Sequence, residues 1–131
     1  MKIVVIDGQG GKLGYEIIDS LNKNLKDDMI IAIGTNAIAT SVMLKAKPKQ
    51  AATGENPVIV NCRDADVIIG PIGIVIADSL YGEITPPMAL AVSQSSAKKI
   101  LVPINKCNNI VVGIKDSSVE DKINEIIKLI K

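Results

Sequence analysis

No histidine, tryptophan or phenylalanine occurs among the 131 residues, and the only aromatic side chains are Tyr15 and Tyr81. Without histidine the chain lacks the imidazole that serves as base in Ser-His-Asp and Cys-His catalysis, and it lacks a common neutral zinc ligand. Two tyrosines offer almost no platform for stacking bases. The 15 basic and 14 acidic residues are scattered and give a net charge of +1. Both deficits argue against nucleic-acid binding. Two cysteines, Cys62 and Cys107, are too few for a structural zinc site or for the disulfide framework of a small secreted domain, so reduced thiols in a cytoplasm are expected. Long apolar runs are missing too. The first strand-like run reaches Asp7 after four apolar residues, and the longest nearly apolar stretch, Ile68 to Ala77, is about half of a membrane span. Neither a signal peptide nor a membrane helix is expected.

What is present suffices for one domain with its own core, since 47% of the residues are hydrophobic and 22% charged. Short β-branched runs bounded by Gly or Asn read as buried parallel strands at Lys2–Ile6, Met29–Gly34, Val67–Gly70 and Lys99–Ile104. Between the first two, Leu13, Ile17, Ile18, Leu21 and Leu25 share one helical face. Ile38, Val42 and Ala46 mark a second helix. Thr85 as N-cap with Pro86 after it opens another, running through Ser95. At the C-terminus Ser117-x-x-Glu120 reads as a capping box ahead of an apolar stripe of Val119, Ile123, Ile126, Ile127 and Ile130.

Two stretches are open. Residues 49–53 read as a short strand followed by a helix from Asn56-Pro57 to about Asp64, yet Val58-Ile59-Val60 is β-branched and suits a strand. Ile110–Ile114 is expected to return antiparallel to Lys99–Ile104 through Asn105-Lys106-Cys107-Asn108-Asn109. The fold class expected is α/β: a three-layer Rossmann-like domain with a mostly parallel sheet of about five strands and an antiparallel C-terminal edge strand.

In an open α/β sheet, ligands bind beyond the carboxyl ends of the strands. Small and polar residues gather there: Asp7-Gly8-Gln9-Gly10-Gly11-Lys12-Leu13-Gly14, Gly34-Thr35-Asn36, Thr53-Gly54-Glu55-Asn56, Gly70-Pro71-Ile72-Gly73 and Asn105 to Asn108. The glycine loop runs from strand to helix, as phosphate binding at a helix N-terminus requires. Its spelling matches the dinucleotide fingerprint in neither register, and no Ser or Thr follows Lys12 as in a Walker A loop. Tight packing of strand against helix would also account for the glycines. After the second strand, where an acid would meet a ribose, stand Thr35 and Asn36.

The reading is therefore a phosphate-bearing small ligand, a nucleotide or dinucleotide first. Gly8, Gly10, Gly11 and Gly14 would admit backbone amides to the phosphate, and Lys12 or the lone arginine, Arg63, would add charge. Thr35 and Asn36 would meet a ribose, with Gly70, Asn105 and Asn108 completing the site. Arg63 is equally suited to an ion pair with Asp64 or Asp66. Asp78 is either an acid or base candidate or the point where an apolar run meets solvent; Glu83 reads as a surface residue. Cys62 and Cys107 are expected to be inert thiols. No catalytic residue and no metal site can be named.

Ala52-Thr53-Gly54-Glu55-Asn56-Pro57, running into Val58-Ile59-Val60-Asn61-Cys62-Arg63-Asp64-Ala65-Asp66 and Ile69-Gly70-Pro71-Ile72-Gly73, resembles domain-of-unknown-function family 3842. The resemblance takes in Asp7 to Gly11, Ile33 to Asn36 and Asn105 to Asn109, and it implies a small bacterial protein of unassigned activity. The first loop alone also resembles the nucleotide-binding turn of Rossmann dehydrogenases such as prephenate dehydrogenase. A non-catalytic assembly protein is the rival reading, with Ile68–Ala77 crossing the twofold of a homodimer, and a nucleotide-using enzyme is the third.

Overall fold

The computed structural model describes residues 1–104 and 108–131. Five strands, β1 (Lys2–Asp7), β2 (Met29–Gly34), β3 (Gln50–Thr53), β4 (Val67–Pro71) and β5 (Lys98–Val102), form one sheet in the order β3-β2-β1-β4-β5. Every pairing is parallel, with Val4 opposite Ile31 on one side and Ile68 on the other. The order reverses between β1 and β4, because β2 and β3 are added on one side of β1 and β4 and β5 on the other.

Alternation along β1 divides the core into two layers. Ile3 and Val5 face α1 (Lys12–Asn24), α2 (Ala37–Leu44) and α5 (Val119–Ile130). Val4 and Ile6 face α3 (Glu55–Cys62), α4 (Pro86–Ser93) and the 3-10 turn Ile72–Val75 between β4 and α4. Helices on both faces explain why the central strands read as unbroken apolar runs.

Several expectations change. Ile110–Ile114 forms no strand: among the described residues the segment after β5 is irregular until α5, and the sheet is wholly parallel. The expected turn at Asn105, Lys106 and Cys107 lies outside the described residues. Of the two readings open for Val58-Ile59-Val60 the helix is the one formed, because β1 already has β2 and β4 as neighbours and the run is used to cover the sheet with Val58. In α2 the buried face is Ala39, Thr40 and Met43, while Ile38 is 70% exposed; only Ala46, just past the helix, keeps its expected burial. The cap of α5 is Ser118, whose hydroxyl accepts from the Asp121 amide, one residue later than the expected box. The third expected helix does start at Pro86 behind Thr85, whose hydroxyl accepts from the Met88 amide at 3.3 Å.

Candidate functional site

At the reversal point a cleft of ≈ 310 Å³ opens beyond the carboxyl ends of β1 and β4. Its walls are the loop Asp7 to Leu13, with Glu16, Pro71, Leu80, Ile104 and Val119. A crevice forms here because the crossovers from β1 and β4 leave toward opposite faces of the sheet.

The glycine loop is held by a buried acid. Asp7 ends β1, and its carboxylate accepts from the Gly8 amide at 2.8 Å and from the Gly14 amide at 2.7 Å. The second bond ties the third amide of α1 to β1. Burial pushes the Asp7 carboxyl up from its ordinary value, against the two amides that favour its charged form, and the charge of Glu83 adds to the rise. Gly11 caps α1 at φ 74, and a Cβ there would stand 2.6 Å from the Ala39 carbonyl oxygen. Gly10 has nothing within 4 Å of the place a Cβ would take. One glycine thus permits helix packing, and the other leaves open space.

Four loop amides have partners: Gly8 and Gly14 on Asp7, Gly11 on the Gly8 carbonyl, and Gln9 on Glu83. The amides of Gly10, Lys12 and Leu13 have none among the described residues, and all three residues line the cleft. Two of these unclaimed donors, Lys12 and Leu13, lie in the first turn of a 13-residue helix and the third, Gly10, just ahead of its cap, a local field suited to an anion.

Glu83, expected on the surface, is a partly buried anchor at this edge. Its Oε1 accepts from the Gln9 amide at 2.9 Å, the Thr35 hydroxyl at 2.6 Å and Asn36 Nδ2 at 2.7 Å. Partial burial would raise the Glu83 carboxyl, but the three donors outweigh it and hold it below its ordinary value. Asn36 also caps α2, its Oδ1 accepting from the Ala39 amide at 2.8 Å. The chain reaches Glu83 through a turn in which Leu80 (φ 54), Tyr81 (φ 55) and Gly82 (φ 86) are successively left-handed, with Asp78 (φ 64) just before. Each non-glycine residue in that region costs about 1–2 kcal/mol. The buried Leu80 side chain and the Ser79 hydroxyl, which donates to the Gly73 carbonyl, hold the turn against that cost.

The remaining expected site residues divide. Gly8, Gly10, Gly11 and Lys12 line the cleft, and Thr35 and Asn36 meet Glu83 beside it. Gly14 is buried against Asp7 and Met43 and serves packing. Gly70 lies inside β4, where a Cβ would strike the Ile6 carbonyl, so it permits close approach of β1 and contributes no group to the cleft. Arg63 follows α3 at the opposite, amino edge, beside a separate hollow with Ile59 and Ser95, and does not join the site. It does not pair with Asp64 or Asp66 either: Asp64 pairs with Lys2 Nζ, and Asp66 accepts from the Lys2 amide at 2.7 Å. Asn108 is exposed at φ 64 and does not line the cleft, and Asn105 lies outside the described residues. Asp78 is exposed. Burial pushes the Cys62 thiol up to about 11, so it stays protonated and unreactive at neutral pH. Cys107 is not among the described residues. No three metal-ligating side chains cluster among the described residues.

Residues 2–131 match the family described as Domain of unknown function (DUF3842). The chain belongs to that family. Among solved structures, this member is similar to a dodecameric FMN-dependent Ubix-like decarboxylase from Escherichia coli O157:H7, at 14% identity and a TM-score of 0.43, over 97% of this chain and 91% of that one. Curated proteins gave no match. Among the described residues, no helix is long and apolar enough to cross a membrane.

Proposed function

We propose that this DUF3842 protein binds a phosphate-bearing small ligand, a nucleotide, in the cleft between β1 and β4. The observation that carries the reading is the set of three unclaimed amides, Gly10, Lys12 and Leu13, at the start of α1. The Lys12 side chain, exposed at the same turn, adds positive charge. Pro71, Leu80, Ile104 and Val119 supply an apolar wall suited to the rest of a nucleotide. Among the described residues no nucleophile-base pair forms at the site, so the reading is of binding and names no reaction.

The test is a variant that fills the cleft without disturbing the fold. The Cβ of Gly10→Asp would have nothing within 4 Å, and the variant puts a negative charge on a residue whose own amide is one of the three. Calorimetric titration with ADP is expected to show binding to the natural protein and a loss of about tenfold or more in this variant, with the unfolding temperature unchanged. Equal ADP affinity in the two proteins sinks the assignment.

A second reading, self-association, has one observation in its favour. Ile110 is 88% exposed and Val112 93% exposed in the irregular segment after β5. With Val111 at 37% and Ile114 at 41% they make a run of exposed apolar side chains, the kind of surface that marks an interaction site. The stretch Ile68–Ala77, by contrast, does not supply the expected interface, because β4 and much of the following turn are buried in the core. Light scattering decides the point: a monomer at micromolar concentration removes this reading.

A further inference from the structure

In a dinucleotide-type site the acid that accepts the ribose hydroxyls stands at the end of β2. This chain has Thr35 and Asn36 there, and both donate to Glu83 Oε1, which reaches that position from the loop between β4 and α4. A third donor, the Gln9 amide, fixes the same oxygen to the glycine loop. All three bonds fall on Oε1, and Oε2 has no hydrogen bond among the described residues. The carboxylate is thus held rigidly by one oxygen and keeps the other as an acceptor. It is attached directly to Gln9, whose neighbours Gly8 and Gly10 line the cleft with it. We infer that Glu83 is a specificity-determining residue, whose second carboxylate oxygen accepts the 2′-hydroxyl of the ribose of a nucleotide bound by its phosphate at α1.

The inference rests on the phosphate reading above and narrows it. Two requirements on the ligand follow from the chemistry of the acceptor. A carboxylate accepts hydroxyl protons, so the ribose must carry its 2′-hydroxyl. It also repels a second anion, so a 2′-phosphate is rejected. The left-handed turn at Leu80, Tyr81 and Gly82 fits such a role, since backbone strain persists where the surrounding structure holds a group in place.

The experiment compares ADP, 2′-deoxy-ADP and adenosine 2′,5′-bisphosphate on the natural protein, on Glu83→Ala and on Glu83→Gln. The natural protein is expected to bind ADP about tenfold or more tightly than 2′-deoxy-ADP, the worth of one hydrogen bond to a charged group. Glu83→Ala is expected to bind the two alike, at the natural protein's strength for 2′-deoxy-ADP. Glu83→Gln keeps the side-chain shape where the alanine variant loosens the loop, and it is expected to gain on the bisphosphate relative to ADP. Equal binding of ADP and 2′-deoxy-ADP by the natural protein overturns the role of Glu83 and leaves the phosphate reading standing. Tighter binding of all three by Glu83→Ala also overturns it, because the carboxylate would then be a plug. No binding by any of the three proteins overturns the phosphate reading and this one with it.

Discussion

Asp7 and Glu83 lie close enough to influence each other, yet their environments act in opposite senses. Asp7 is removed from water, and its folded form holds a proton more tightly than the unfolded chain does. Its contribution to stability is therefore greatest below its ordinary value of 3.8 and is lost as pH rises through the raised value. Glu83 is held charged by its three donors, so its contribution is present above 4.5 and is lost as pH falls through the lowered value. Urea unfolding of the natural protein and of Glu83→Gln between about pH 3 and pH 7 checks the sign: the stability gap is expected to close toward acid pH. Removing the other carboxylate is more severe. Asp7→Ala strands the Gly8 and Gly14 amides near the core, and unsatisfied buried donors cost about 1–3 kcal/mol each, so the denaturation midpoint is expected to drop well below that of the natural protein. Within the glycine loop, Gly11→Ala meets both a positive φ and the Ala39 carbonyl, while Gly10→Ala meets nothing. The first is expected to cost about 1–2 kcal/mol or more in unfolding free energy and the second less than about 0.5.

Elements were legible where one periodicity dominated. The apolar face of α1 and the stripe of α5 are buried largely as their spacing suggests, although Val119 and Leu25 sit at the margins. In α2 the spacing misleads because nearly every residue is apolar or small, so the phase is chosen by contact with the sheet and not by the residues themselves. In α3 intrinsic β preference loses to tertiary packing. The expected edge strand failed for a related reason: Ile110 to Ile114 has strand-forming side chains, but a strand also needs an edge in register, and that partner is not visible in a local string. The cap of α5 offers a clean element-scale check. Ser118→Ala is expected to lower stability by about 1 kcal/mol, whereas Ser117→Ala, which removes an exposed bond from Lys122, is expected to change it by less than about 0.5.

Seen as a whole, the molecule's cleft sits where a parallel sheet with this strand order should have one. That position was readable from the alternation of strands and helices alone, as was the glycine loop that forms half of its wall. The acid bonded to the back of that loop was not. Glu83 is distant in sequence from both Thr35 and Gln9, and only the path of the loop after β4 brings it back over the sheet edge. Arg63 illustrates the converse, because a residue chemically suited to phosphate is at the far end of the strands. Arg63→Ala is accordingly expected to leave ADP affinity unchanged in the titration in which Gly10→Asp is expected to lose about tenfold or more. The turn that delivers Glu83 also leaves Tyr81 almost wholly in solvent, at 99% exposure, while Tyr15, on the first turn of α1, is partly buried against the core. With no tryptophan to mask them, these two phenols are the chain's entire ultraviolet emission. The protein therefore carries its own optical gauge, with one lamp two residues from the carboxylate at the sheet edge and the other on the helix that the glycine loop opens.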